Sequence, residues 1–112
     1  TEECDAHRSF KEALINATEK DITIIKSPLG LPGRALKNSF IESVRRNEKK
    51  PFVCPFHCLK TCDFKNTPYC IADALVSAAK GDLDNGFVFT GENIESINKI
   101  VTVKEVIERL IY

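Results

Sequence analysis

The sequence predicts a mainly helical α+β fold with one or two short strands. Apolar residues recur at helical spacing in four separate stretches, whereas a clear β-like run occurs only at Ile22–Ile25. Helix-boundary signals flank those stretches, notably Lys80-Gly81 and the pair Thr102 and Glu105. With 112 residues, 43% of them hydrophobic, the chain suffices for one small domain with its own core. Residues 1–112 are therefore read as a single domain.

A first helix is expected from about Asp5 to Ala17. Phe10, Ala13, Leu14 and Ala17 fall at i, i+3, i+4 and i+7 and make one apolar face. The strand Ile22–Ile25 is apolar on both sides, which suits a buried position. Pro28, Gly30, Pro32 and Gly33 then crowd together. Proline fixes φ and glycine tolerates positive φ, so the backbone path here is sharply specified. A second helix is expected from about Arg34 to Arg46, with Leu36, Phe40 and Val44 on its apolar side, which puts Arg34 at its start. Glu48 to Asn66 reads as irregular and cysteine-rich.

The third helix has Thr67 as N-cap, Pro68 in the first helical position, where no N–H is required, and Ile71, Leu75 and Ala78 on one face. Lys80 and Gly81 end it. Gly86–Gly91 is expected as a turn or a single short strand, Phe87–Phe89, followed by a short helix near Asn93. The last helix opens on a capping box, Thr102 and Glu105, with Val101 and Val106 spaced as a hydrophobic staple. Its apolar face is Val103, Val106, Ile107, Leu110 and Ile111.

Sixteen basic and sixteen acidic side chains cancel, which gives no electrostatic reason to expect a nucleic-acid partner. The one basic concentration, Arg45, Arg46, Lys49 and Lys50, reads as a solvated helix end. No apolar run reaches the roughly 18 residues of a membrane span, and no signal-peptide pattern opens the chain, so a cytoplasmic protein is expected.

Cys54, Cys58, Cys62 and Cys70 stand close together, with His57 among them. Their gaps of three, three and seven residues leave three readings open. The first is a thiolate cage for zinc or an iron–sulfur cluster. The second is reduced, packed cysteines, and the third a disulfide. Cys4 lies far off in sequence without an evident partner.

Ser27 to Asn38, SPLGLPGRALKN, resembles the "G-x-P-x-R-x-L-x-N" stretch of the flavin-dependent nitronate monooxygenases, a family that includes flavin-dependent enoyl-acyl-carrier-protein reductases. Gly30, Pro32, Arg34, Leu36 and Asn38 match in register. TEECDAHRSFKEAL resembles the turn and helix after the eighth barrel strand. GDLDNGFVFTGENIESINKIVTVKEVIERLI resembles the closing "G-D-x-x-x-G-x-x-x-x-G" loop and final helix. The resemblance implies the C-terminal, substrate-side region of a (β/α)8 TIM-barrel enzyme whose barrel is absent. Such a barrel needs roughly twice this length, and the chain opens at Thr1 without any methionine, so a fragment is expected.

That resemblance sets the chemical expectations. The parent enzyme would use FMN on a small-molecule substrate, with its phosphate loops and catalytic histidine before Thr1. His7, in a first helical turn, and His57, among cysteines, match no family base. The isolated chain is therefore expected to hold no catalytic residue and no bound FMN, and to self-associate through surfaces the barrel would cover, Ile22–Ile25 and Phe87–Phe89. Thr90-Gly91-Glu92-Asn93 resembles the family loop that folds back towards the flavin, which makes Gly91 and Glu92 the candidate cofactor-facing residues. Glu92 stands where the family has glutamine, and a carboxylate beside an anionic reduced flavin is unfavourable. The alternative for this loop is helix capping by Asn93 with Gly91 in a tight turn. Arg34 reads as a loop anchor rather than a substrate ligand. A reading of another class is a stand-alone cysteine-cluster module, structural or electron-carrying, without flavin.

Overall fold

A computed structural model describes residues 1–46, 58, 60, 62 and 66–111. Helix α1 (Arg8–Asn16) is followed by strands β1 (Ile22–Lys26) and β2 (Pro32–Leu36), then helices α2 (Ser39–Arg45), α3 (Ile71–Ala79) and α4 (Val103–Ile111). Single 3-10 turns lie at Glu19–Asp21 and Ile94–Ser96. Most of the expected cysteine-rich stretch, including Cys54 and His57, lies outside the described residues.

The Pro/Gly-rich segment is a hairpin turn rather than a strand-to-helix loop. β1 and β2 pair antiparallel, with Ile24 opposite Arg34 and Ile22 opposite Leu36. The Gly30 N–H donates to the Ser27 carbonyl at 3.0 Å, and Gly30 holds φ at +85°, which glycine adopts without strain. Arg34 to Leu36 therefore extend along β1 instead of opening a helix. Pairing satisfies their backbone groups and buries Ala35 and Leu36.

Helix α2 starts later, after Asn38, whose side-chain oxygen accepts the Ile41 N–H at 2.9 Å. The Asn38 amide also donates to the carbonyls of Leu83 (3.0 Å) and Gly86 (2.8 Å), pinning a loop 45 residues downstream. Phe89 forms a bridge with Ala35, flanked by hydrogen bonds from Leu36 N–H to the Val88 carbonyl and from Thr90 N–H to the Arg34 carbonyl. The expected short strand at 87–89 is thus a single bridge on the free edge of β2.

The hairpin separates two halves of the core. On one face Ile25 and Ala35 meet Phe40, Ile41, Tyr69, Ala74 and Phe87. On the other Leu36, Ala78, Val88 and Ile94 are covered by Phe10, Ala13, Leu14 and Ala17, the α1 face read from periodicity. Phe87 is the hub of the aromatic packing, with ring centroids 5.8 Å from Phe40, 5.9 Å from Tyr69 and 4.9 Å from Phe89.

α3 departs from its expected start. Cys70, not Thr67, is the N-cap residue, and the Thr67 hydroxyl donates to the Tyr69 carbonyl at 3.2 Å. A side-chain cap contributes about 1 kcal/mol, whereas burying a large aromatic contributes about 1.5–3 kcal/mol, so placing Tyr69 against Phe40 outweighs an earlier helix start. The buried face is also rotated: Ala74 and Ala78 are buried, while Leu75 sits at the rim. Gly86 explains this. A β-carbon there would lie 2.2 Å from the Ala74 carbonyl oxygen, so the loop backbone rests directly on α3.

The C-terminus of α3 matches expectation. Gly81, at φ +99°, donates to the Ala78 carbonyl, and Asp82 N–H donates to the Ser77 carbonyl, a Schellman closure. At α4 the Thr102 hydroxyl oxygen accepts the Glu105 N–H at 3.2 Å, and the Glu3 carboxylate accepts the Val103 N–H at 2.7 Å. α4 itself buries no residue. The exposed apolar surface is accordingly not where it was expected. Ile25, Phe87 and Val88 are buried and only Ile24 and Phe89 are exposed in those stretches, whereas Val103, Ile107, Leu110 and Ile111 are all exposed on α4.

Candidate functional site

The sheet and the 90–92 segment border an open, shallow cleft on the open face of the hairpin. It has a volume of about 360 Å³ and is lined by Glu19, Ile22, Thr23, Ile24, Arg34 and Glu92. Strand register places Ile24 and Arg34 opposite each other on this face. Thr90 N–H, bonded to the Arg34 carbonyl at 3.1 Å, brings Glu92 alongside. Glu19 arrives from the 3-10 turn before β1. There Thr18 and Asp21 form a capping box, and the Glu19 N–H donates to the Glu95 carboxylate at 3.1 Å. The Thr23 hydroxyl is on the opposite, buried face, where it accepts from the Arg45 guanidinium, so Thr23 offers the cleft its backbone edge.

Three charged side chains thus line one small space: two carboxylates and one guanidinium. Among the described residues Arg34 forms no ion pair with either carboxylate. It is exposed and holds the loop through its backbone carbonyl only, so the expected side-chain anchor is absent. Arg45, from the basic cluster, is instead the guanidinium that ties α2 to β1.

Of the two candidate cofactor-facing residues, Glu92 lines the cleft and Gly91 does not. Gly91 does not adopt positive φ, and a β-carbon there would meet nothing within 4 Å, so neither a tight turn nor a close approach requires it. The alternative reading is not met, because the Asn93 side chain makes no capping bond. Two carboxylates against one guanidinium leave the cleft with one net negative charge, which repels an FMN phosphate. The cleft is therefore unsuited to the phosphate, and no step through flavin follows from these residues. Sequence reasoning missed Glu19, since nothing local links it to residues 34 and 92.

The loop motif after α3 has a structural role. The Asp82 carboxylate accepts the N–H groups of Asp84 and Asn85, both at 3.2 Å, and the Asn85 side-chain amide at 2.8 Å. The Asn85 amide, with those backbone bonds, holds the Asp82 carboxyl below the usual carboxylate range. His7 is exposed, caps α1 through its Nδ1, which accepts from the Ser9 N–H at 3.0 Å, and rests on Gly81.

The cysteines divide. Cys58 is exposed, and Cys62 and Cys70 are half-buried; Cys4 is exposed. Among the described residues no three His, Cys, Asp or Glu side chains converge as metal ligands. Cys54 lies outside the described residues. No described helix is long and apolar enough to cross a membrane.

Comparison with curated proteins returns no match. The family model described as nitronate monooxygenase matches residues 1–112. The agreement extends over both the hairpin motif that sets Arg34 in the cleft and the glycine loop that seats α3, and the chain belongs to the nitronate monooxygenase family.

Proposed function

We propose that this chain is the C-terminal, substrate-side region of an FMN-dependent oxidoreductase of the nitronate monooxygenase type, and that it is inactive alone. The observation that carries the reading is the exposed apolar face of α4, Val103, Ile107, Leu110 and Ile111, in a chain matched by the family over all its residues. A face of this kind calls for a cover, and a (β/α)8 barrel of the parent enzyme supplies one. Flavin chemistry belongs to that barrel, where the resemblance puts the phosphate loops and the catalytic histidine. The described residues contribute a rigid hairpin platform beside the substrate. Without its cover the chain self-associates. A cytoplasmic setting is part of this reading.

The test is reconstitution. The 112-residue chain is purified alone and again with a barrel portion of a family enzyme. Alone, it is expected to show no flavin absorption, no nitronate-dependent oxygen uptake and sedimentation above the monomer. Joined to the barrel, it is expected to restore oxygen uptake with a nitronate. Stoichiometric FMN on the isolated chain overturns the reading. NADH-dependent reduction of an enoyl thioester, without nitronate oxidation, assigns the parent to the reductase branch instead.

A further inference from the structure

We infer that the hairpin cleft is a binding site for a small zwitterion of the amino-acid type, one that carries an ammonium group, a carboxylate and a branched apolar side chain. This goes beyond the flavoenzyme reading and does not depend on it. Arg34, Glu19 and Glu92 line the same space of about 360 Å³, and among the described residues the guanidinium is not neutralised by either carboxylate. A plain anion finds one guanidinium and two carboxylates, a net repulsion, and a plain cation gains nothing from the guanidinium. A ligand with both charges satisfies all three groups. Its carboxylate takes the planar fork of Arg34, and its ammonium donates to Glu19 and Glu92.

The floor fixes the rest of the ligand. Ile22 and Ile24 project from the same face of β1, and Ile24 is 58% exposed. That apolar surface lies directly across the register from Arg34, so a branched hydrocarbon group bound beside the carboxylate covers it. The scaffold is ordered from three sides: by the β1–β2 ladder, by the Thr90–Arg34 backbone bond, and by the Glu19–Glu95 bond. The backbone of the site is therefore held in place before the ligand arrives, which lowers the cost of binding.

Leucine is the probe. The complete 112-residue chain, isotope-labelled, is titrated with leucine, with 4-methylpentanoate, which lacks the ammonium, and with 3-methylbutylamine, which lacks the carboxylate. Saturable shifts of the Ile24, Arg34 and Glu92 amides are expected with leucine, and each truncated probe is expected to bind about tenfold more weakly or worse. Arg34→Gln and Glu92→Gln, both exposed positions, are each expected to weaken leucine by a similar factor while leaving the circular dichroism unchanged. Absence of saturable shifts at millimolar leucine overturns the inference, as does equal binding of leucine and 4-methylpentanoate. The probe comparison needs no variant, so it decides the matter even if a substitution unfolds the chain.

Discussion

The aromatic core around Phe87 and the C-terminal helix α4 differ in the opposite way from their sequence patterns. α4 carries the cleanest apolar stripe of the chain, yet it buries nothing, and Leu110 is 81% exposed. The residues around Phe87 show no helical or alternating pattern, yet Phe87, Val88 and Ile94 are among the most buried side chains. Periodicity therefore reports that a face needs a cover, and contacts distant in sequence decide whether this chain provides it. Among the described residues the core side chains are buried by one another. The α4 face is left exposed by the described residues.

The strongest way to break this contrast is to remove its hub. Phe87→Ala is expected to cost about 3–5 kcal/mol, because it deletes a fully buried ring that touches three others. Chemical denaturation of the variant measures it, and a loss below about 1 kcal/mol places the core elsewhere.

The same cluster has a pH signature. Burial pushes the Tyr69 hydroxyl up from 10.0 to about 12. The unfolded tyrosine ionises first, so stability is fully present below pH 10 and falls as pH rises towards 12, by an amount on the order of 1 kcal/mol. Tyr69→Phe is expected to flatten that alkaline slope. An unchanged slope in the variant assigns it to other groups.

A smaller effect sharpens the account of α3. Cys70 is its N-cap residue and makes no side-chain capping bond. Cys70→Ser is expected to raise stability by about 0.5–1 kcal/mol, since serine is a strong cap. A fall instead, with loss of zinc or iron in anaerobically purified protein, assigns Cys70 to a thiolate site with Cys54, Cys58 and Cys62.

The smallest effect is expected on α4. Leu110→Ser should shift unfolding of the isolated chain by less than about 0.5 kcal/mol. The same change should weaken self-association and barrel assembly. Strong destabilisation of the monomer shows that α4 is covered within the chain and removes the contrast.

The sequence by itself determined what depends on neighbours within a turn. The α1 face, the Gly81 closure and the Thr102 bond at α4 were all legible, because capping and periodicity act over three to seven residues. The family was legible too, through the spacing of Gly30, Pro32, Arg34, Leu36 and Asn38. The tertiary structure alone decided whether Arg34–Leu36 would be strand or helix, since its hydrogen-bonding partner is β1 on the far side of a turn. It alone decided that Asn38 would hold residues 83 and 86, and that Tyr69 would delay α3. The same holds for the site. Glu92 was readable as a candidate, but Glu19, Arg34 and Glu92 stand far apart in sequence and share a cleft only because β2 pairs on both edges. Local preferences are set by backbone sterics and nearby hydrogen bonds; which distant groups meet is set by packing of the whole chain.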